Sequence, residues 1–368
     1  MTALPASILD LFAARGAQPV DVPVLQPADP FLDMAGEDLR RRIFLTESET
    51  GATLCLRPEF TIPVCLGHIA SHASTPRRYA YCGEVFRQRR EGGNEFIQAG
   101  VEDLGETDIA EADARSIADA HALFALTLPS VTLTTVLGDQ AVFEAVLAAL
   151  GLPRGWRMRL ARAFGQPDVL EAALADLASP SAGTGLDPVI AKLAETGDEK
   201  ALAERIAADM EVVGLATTAG RTPDEIARRL IEKAALSQVH LADGAFAALK
   251  RFLAIRVPLD RAPSELAAFA AATKLDLDAG LAGFSARAAA IGGHGLSAAA
   301  ITYDAAFGRP LDYYTGLVFE ISAPGASRPL AGGGRYDRLL TLLGAEQPIP
   351  GVGFSVWIDR VEQLRAEE

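Results

Sequence analysis

The sequence predicts an α+β fold in which a mixed, mainly antiparallel sheet is flanked by helices and interrupted by a helical insertion. Strand-like segments separated by turn signals fill residues 1–160 and return in residues 292–368. Residues 161–291 are instead rich in Ala and Leu and show no strand alternation. This distribution indicates one sheet domain, 1–160 with 292–368, and an inserted helical domain over 161–291.

The first part of the sheet domain begins with a short amphipathic helix that carries Ile8, Leu9 and Phe12 on one face. The residues from Ala110 to Leu126 form a second predicted helix, because they are rich in Ala and carry acids near their start. Around these helices, strands are predicted in the segments TLCLRPE, RRYAYCGEVFR, EFIQAGVEDLG and VTLTTVLG.

The insertion contains one strong helix start, in which Thr222 is the cap, Pro223 the first helical residue and Glu225 the third residue after the cap. Its composition indicates no chemistry. After it, strands are predicted in AAAITYDAAFGRPLDYYTGLVFEIS and GVGFSVWIDRVEQL, with a glycine-rich loop, AGGGRYD, between them.

The charge of the chain is strongly acidic, with a formal net charge of -14 from 34 basic and 48 acidic side chains. Nucleic-acid binding requires a basic surface, so we expect no nucleic-acid partner and favour a protein partner or a small ligand. Asp10 interrupts the apolar N-terminal stretch, which excludes a signal peptide, and no apolar run approaches the ~20 residues that cross a bilayer. We therefore expect no membrane association and a cytoplasmic location.

The cysteines and histidines predict neither disulfides nor a metal site. Cys55, Cys65 and Cys82 are odd in number and lie among apolar or strand-like residues, so they are predicted to be buried free thiols. His68 and His72 have the spacing of a helical metal pair, but the sequence offers no third ligand nearby.

Polar side chains recur on single faces of two predicted strands. In LCLRPEFT, Arg57, Glu59 and Thr61 share one side if the strand continues to its end. In EFIQAGVED, one face carries an aromatic, an amide, a glycine and a carboxylate, namely Phe96, Gln98, Gly100 and Glu102. One interpretation is a half-solvated sheet with its polar face outward.

The alternative interpretation is a pocket. The mixture of residue types is unlike the Lys, Glu and Thr of an ordinary solvent face. Arginines and tyrosines also occur at comparable strand edges, and the glycines of AGGGRYD permit close backbone approach to a ligand. The strand-edge residues are Arg87, Arg309, Tyr313 and Tyr314.

Five segments of the chain, in order, resemble segments of histidyl-tRNA synthetases. LRPEFT is similar to the family's L-R-P-E-G-T, and GEVFRQRREGGNEFIQAGVE to motif 2 of class II synthetases. GRPLDYYTG resembles the histidine-specific R-G-L-D-Y-Y segment, AGGGRYDRL resembles G-G-R-Y-D-G-L, and GVGFSVWIDR resembles motif 3. The resemblance covers essentially the whole chain and implies a class II synthetase-like core with the family's insertion.

The resemblance implies a histidine-binding set. In the family, carboxylate, hydroxyl, amide and tyrosine groups hold the ammonium and imidazole of the amino acid, and arginines lie close to its carboxylate and to the α-phosphate. The positions that match here are Glu59, Thr61, Arg87, Gln98, Glu102, Arg309, Tyr313, Tyr314 and Tyr336. A pocket that is inherited but never occupied is the alternative.

The ATP side departs from the family pattern. Arg89 replaces the nucleotide-contacting Glu of motif 2, and the loop after it is shorter and lacks the family's basic residues. In motif 3, Arg360 remains, but Trp357 replaces a glycine that leaves space for adenine. Pro310 replaces a glycine beside Arg309 and is expected to alter the backbone there. Phe96, the adenine-stacking residue, and Arg87 are retained.

Only eight residues follow Arg360, so we expect no anticodon-binding domain and no tRNA charging. A synthetase-like core that keeps the histidine set and loses ATP features resembles the regulatory subunits of short-form ATP phosphoribosyltransferases, in histidine biosynthesis. That resemblance implies a chain without catalytic residues or cofactor. It also implies a homodimer within a hetero-oligomer, activation of a catalytic subunit, and histidine as feedback effector. The alternatives are a tRNA-independent histidine-activating ligase and a synthetase whose anticodon domain is supplied elsewhere.

Overall fold

The chain forms two compact units, Met1–Val146 with Arg251–Glu368 and Leu147–Lys250. A computed structural model describes residues 3–34, 37–90, 92–178, 187–213, 222–237, 241–309, 311, 313–326 and 328–367. Pro310, whose effect on the backbone the sequence predicts, lies outside the described residues.

The first unit contains all of the strands of the described residues, and helices occur in both units. The strands are β1 Gln18–Pro19, β2 Leu25–Pro27, β3 Leu45–Glu47, β4 Thr53–Leu56, β5 Arg77–Phe86, β6 Glu95–Leu104, β7 Thr134–Asp139, β8 Arg256–Pro258, β9 Ile301–Asp304, β10 Leu317–Ser322, β11 Ala331–Arg335 and β12 Gly351–Trp357. The α-helices are α1 Ala3–Ala14, α2 Asp29–Met34, α3 Glu37–Arg40, α4 Thr61–Ala70, α5 Ile109–Thr127, α6 Gln140–Ala149, α7 Arg154–Ala163, α8 Pro167–Ala178, α9 Pro188–Thr196, α10 Glu199–Val213, α11 Pro223–Ser237, α12 Asp243–Leu253, α13 Ala262–Thr273, α14 Asp278–Gly293, α15 Leu339–Leu342 and α16 Ile358–Glu367.

The central sheet of the first unit has, within the described residues, the strand order β1-β5-β6-β12-β11-β10-β7-β9-β8. The pairs β1–β5 and β7–β9 are parallel, and the other pairs are antiparallel. A small second sheet has the order β2-β4-β3. The predicted mixed, mainly antiparallel sheet flanked by helices is confirmed.

The two faces of the central sheet have different surroundings. On one face, α1 and α5 cover the strands, with Phe12 packed edge-on against Phe354 at 5.8 Å between ring centroids. Also on that face, Arg335 of β11 donates to Asp113 of α5 at 2.8 Å. The opposite face carries Gln98, Gly100 and Glu102 of β6 together with alternate residues of the neighbouring strands. We call this second face the site face.

Two helices lie in a different unit from the one that the sequence assigned them. The predicted insertion, 161–291, included α13 and α14, but both belong to the first unit, and α14 packs against α5. They are Ala-rich like the insertion, and composition does not reveal which unit a helix packs against. The sequence predicted the sheet and the helices α1 and α5 that cover one face of it. It did not predict that α13 and α14 pack in the same unit.

The second unit is helical over its described residues. Its core is a cluster of small and branched apolar side chains from α9, α10 and α11. The helix start predicted at Thr222 is confirmed: its Oγ1 accepts from the Glu225 N–H at 3.3 Å, and its own N–H donates to Glu225 Oε2 at 3.1 Å. This reciprocal pair satisfies two backbone N–H groups at the start of the helix, those of Thr222 and Glu225.

Candidate functional site

A cavity of about 140 Å³ opens on the site face of the sheet. That volume matches the ~150 Å³ of an engineered cavity that holds one benzene ring and is well below the ~300–1,000 Å³ of drug-sized sites. The cavity therefore has room for a small molecule with one ring. All but one of the predicted site residues line it: Glu59, Thr61, Arg87, Gln98, Arg309, Tyr313, Tyr314 and Tyr336.

Glu102, the remaining predicted residue, lies directly behind the lining. Its Oε1 accepts from Thr61 Oγ1 at 2.7 Å and from the Tyr81 hydroxyl at 3.2 Å, and its Oε2 accepts from the Tyr336 hydroxyl. The side chain is fully buried, and burial raises the pKa of its carboxyl to about 8. Gly353 on the paired strand leaves the space that the Glu102 carboxylate occupies, because a Cβ there would lie 1.8 Å from Glu102 Oε2.

Glu59 reaches the cavity from a helix start and not from a strand. The predicted continuation of the strand through Thr61 is wrong: β4 ends at Leu56, just before Pro58, and Thr61 is the first residue of α4. The Glu59 carboxylate accepts from the Thr61 N–H at 2.6 Å and the Ile62 N–H at 2.9 Å. It thereby satisfies amides that no residue of the helix can pair.

The alternation predicted that Arg57 shares one side with Glu59 and Thr61, and this prediction is wrong. Its guanidinium donates to the carbonyl of Val22 and, at 2.7 and 3.0 Å, to the carbonyl of Glu84. These contacts use the side chain to join backbone segments of the same unit. Arg57 is thus a structural residue.

Arg309 lies flat over β11 within the cavity. Its Nη1 donates to Glu320 Oε1 at 2.6 Å, while its Nε has no hydrogen-bond partner. A Cβ on Gly332 would lie 1.8 Å from Arg309 Nη1, so the glycine leaves the space that the guanidinium occupies. The prediction that AGGGRYD forms a loop is therefore wrong. Its first five residues are the buried strand β11, and their glycines admit neighbouring side chains.

A second buried polar atom in the lining is also without a partner. Gln98 Oε1 accepts no hydrogen bond, although the residue is only 1% exposed. Buried polar atoms in folded proteins are nearly all paired, and an unpaired one beside a cavity indicates a ligand or an ordered water. Among the described residues, the lining residues thus include one fully buried acceptor without a partner, on Gln98, and one fully buried donor without a partner, on Arg309.

Three tyrosines form the aromatic wall of the cavity. The Tyr313 ring lies 5.1 Å from Tyr314 and 6.0 Å from Tyr336, measured between centroids. The sequence left open which of Tyr313 and Tyr314 belongs to the site, and both line the cavity. Burial raises the pKa of Tyr313 and Tyr336 well above the usual tyrosine range, so these hydroxyls stay neutral.

Sequence reasoning missed Tyr81, Ser355 and Glu320. Tyr81 OH contacts Glu102, the Phe354 carbonyl at 3.0 Å and Ser355 Oγ at 2.8 Å, and Glu320 holds Arg309. Alternation within each strand gives the face of a residue, but the partner across the sheet depends on strand order and register. Those are set by the fold as a whole, so nothing local identified these residues.

The described residues carry no helix long and apolar enough to span a membrane. Over the same residues, no group of three or more His, Cys, Asp or Glu side chains is placed to hold a metal ion. Cys55 and Cys65 are buried free thiols as predicted, and Cys82 is a partly exposed one.

Comparison with known proteins places the fold and the family. A family model described as histidyl-tRNA synthetase matches residues 1–218 and 212–361. A solved structure, named as an ATP phosphoribosyltransferase regulatory subunit/histidyl-tRNA synthetase from Bacillus halodurans, superposes with a TM-score of 0.65 at 19% identity, over 98% of this chain and 77% of that one. At this identity the likeness shows the class II synthetase-like fold.

Two curated relatives are far more similar. The ATP phosphoribosyltransferase regulatory subunit of Mesorhizobium japonicum is 69% identical over 99% of this chain and 97% of its own length. The protein of the same name from Chelativorans sp. is 64% identical with the same coverage. The chain belongs to the family of ATP phosphoribosyltransferase regulatory subunits, which is built on the histidyl-tRNA synthetase fold.

Proposed function

We propose that the chain binds free L-histidine in the cavity and so regulates the catalytic subunit of an ATP phosphoribosyltransferase, without catalysis of its own. The observation that carries this proposal is the pair of unpaired polar atoms, Gln98 Oε1 and Arg309 Nε, in a cavity of about 140 Å³. A ligand that fills such a cavity must supply both a donor and an acceptor.

Histidine matches the lining group by group. Its carboxylate accepts from Arg309, and its ammonium and ring N–H groups donate to the oxygens of Gln98 and Glu59. Glu59 already accepts one backbone hydrogen bond on each carboxylate oxygen, and each oxygen has a second lone pair free for the ligand. Tyr313 and Tyr314 supply flat apolar surface for an imidazole.

Regulation requires that histidine bind one state of the assembly better than another, because equal affinity for both states shifts nothing. Both curated relatives are named as regulatory subunits, which supports a complex with the catalytic subunit. We infer that the chain activates that subunit, that histidine reverses the activation, and that the working form is a homodimer within a hetero-oligomer. Nucleic acid and membrane are not partners in this proposal.

The competing function is a tRNA-independent ligase that activates histidine with ATP. It is favoured by the retained cations Arg87, Arg309 and Arg360. Against it, Arg360 is packed on Trp357 and donates to the Pro329 carbonyl, so this cation is already engaged. The cavity has no volume for a nucleotide beside an amino acid.

The deciding experiment uses the full-length chain and its catalytic subunit. Calorimetry with L-histidine should show binding to the isolated chain, mixing should raise phosphoribosyltransferase activity, and histidine should then lower it. Histidine-dependent ATP–pyrophosphate exchange should be absent. Robust exchange would favour the ligase, and failure to activate the catalytic subunit would contradict the regulatory role.

A further inference from the structure

The cavity has a larger neighbouring cleft, and the side chains of Trp357 and Phe96, with the arginines beside them, lie near both spaces. The cleft, of about 630 Å³, is lined by three arginines, Arg89, Arg328 and Arg360, by the carboxylates of Glu95 and Asp359, and by small and apolar residues. We call it the outer cleft. Trp357 lines the cavity, Arg360 lines the outer cleft, and the Arg360 guanidinium lies 4.3 Å from the Trp357 ring centroid.

Phe96 is the second aromatic side chain near both spaces. Arg89, on the side of the outer cleft, lies 3.5 Å from the Phe96 ring centroid, and Arg87, on the side of the cavity, lies 5.6 Å from it. Cations over aromatic faces attract the rings, more strongly when the site is desolvated. Phe96 therefore has one arginine of each lining beside its ring, and Trp357 has Arg360 beside its own.

From this arrangement we propose that Trp357 is a specificity-determining residue, which restricts the cavity to amino acids with a free carboxylate and rejects molecules in which that carboxylate is extended by a bulky ester, amide or acyl-phosphate group. The inference rests on the proposed function, because it assumes that an amino acid occupies the cavity.

The position of Arg309 determines which end of the ligand meets the indole. Arg309 is a lining cation whose Nε has no hydrogen-bond partner among the described residues, and its guanidinium carbon lies 6.0 Å from the Trp357 ring centroid. A carboxylate held by Arg309 therefore lies beside the indole. Any group attached to that carboxylate would be directed at the ring and, beyond it, at Arg360.

The indole is fixed firmly enough to exclude such a group. Trp357 is 8% exposed and packs in an apolar cluster with Phe60, Val64, Val85 and Phe96. Its backbone N–H donates to the Leu330 carbonyl at 2.9 Å, and it pairs in register with Gln98 across β12 and β6. Displacing the ring would cost the apolar contacts of the whole cluster.

The test compares two histidine derivatives in which the carboxyl group is blocked and uncharged, so that the loss of the carboxylate charge is common to both. Calorimetry measures L-histidine methyl ester and L-histidine β-naphthylamide on the wild-type chain, on Trp357→Gly and on Trp357→Phe. We expect the wild type to bind the naphthylamide at least about 30-fold more weakly than the methyl ester, a ratio within the range that pocket shape alone produces. Trp357→Gly should reduce that ratio to about threefold or less, and Trp357→Phe should retain most of it.

Each remaining outcome decides the matter. A wild-type chain that binds histidine and takes both derivatives equally, or a folded Trp357→Gly variant that still rejects the naphthylamide, would overturn the role of Trp357. If Trp357→Gly does not fold, Trp357→Leu, which keeps apolar contacts in the cluster, replaces it with the same expectations. If histidine itself fails to bind to the wild type, the proposed function is overturned and the inference with it.

Discussion

The cavity and the outer cleft lie on the same sheet and differ in size and in aromatic content. Each is lined by three arginines together with at least one carboxylate, but the cavity has a wall of tyrosines around a space of about 140 Å³, whereas the cleft has no lining tyrosine among its described residues and encloses about 630 Å³. In the cleft, Arg89 is paired with Asp359 at 3.3 Å, and partial burial lowers the pKa of Arg360 to about 10. The cavity and the cleft are thus two separate compartments, and the proposed amino-acid site occupies only the smaller one.

Separation has a consequence for how the molecule can act. A site that holds an amino acid and a nucleotide in contact can join them, whereas a site that holds only the amino acid can respond to its concentration. In the proposed function, Trp357 makes that difference, since it lines the cavity and contacts Arg360 of the cleft, and Phe96 lies beside an arginine of each lining.

The largest effect is expected from Glu102→Ala. The substitution removes the acceptor of three buried hydroxyls, those of Thr61, Tyr81 and Tyr336. Leaving such groups unsatisfied costs about 1–3 kcal/mol of folding stability each. Two of these hydroxyls, on Thr61 and Tyr336, belong to residues that line the cavity, so their release should also lower histidine affinity, by about 100-fold or more. Calorimetry measures this. Glu95→Ala, on the same strand but exposed, is the matched control and should bind as the wild type does.

If histidine inhibition of the complex survives Glu102→Ala unchanged, the feedback site lies outside this cavity. Loss of binding in a variant that still activates the catalytic subunit would instead separate sensing from activation, in support of the proposal. Circular dichroism of the variant distinguishes either result from unfolding.

The same carboxyl should make stability depend on pH. Its pKa is near the ordinary 4.5 in the unfolded chain and about 8 in the folded one. Between those values the folded state binds more protons, so the free energy of unfolding falls as the pH rises through this window, by several kcal/mol in total. Urea unfolding of the wild type and Glu102→Gln from pH 5 to 8.5 measures it. As the pH rises, the free energy of unfolding of Glu102→Gln should increase relative to that of the wild type. A difference that stays constant with pH would contradict the raised pKa.

A smaller effect is expected from Arg309→Lys. Lysine keeps the charge but lacks the planar fork that grips a carboxylate, so histidine affinity should fall by about 10- to 100-fold. The affinity for histidinol, which has no carboxylate, should differ little between the wild type and the variant. The exposed Arg338→Lys is the control. An equal loss for histidine and histidinol would show that Arg309 does not contact the carboxylate.

Much of this site was predictable from the sequence, and the limits have physical causes. Eight of the nine predicted residues line the cavity, because the segments that carry them resemble segments of the histidyl-tRNA synthetase fold, which the chain shares. Arg57 was misplaced because Pro58 ends the strand that the alternation extended. Tyr81 and Glu320 were missed because their partners, Glu102 and Arg309, are brought to them by strand register. The packing of α13 and α14 was missed because composition does not specify a partner surface.

The smallest effect is expected in the outer cleft. Arg328 is exposed, lines the cleft and is absent from the cavity lining, so Arg328→Ala should leave histidine affinity within about twofold of the wild type, as surface substitutions usually do. Arg87→Ala is its partner experiment, because Arg87 lines the cavity beside Glu59 and donates to the Pro58 carbonyl at 2.6 Å. Its affinity should fall by about tenfold or more. Equal losses from the two variants would mean that Trp357 does not separate the compartments, since a cation beyond the indole would then contribute as much as one inside the cavity.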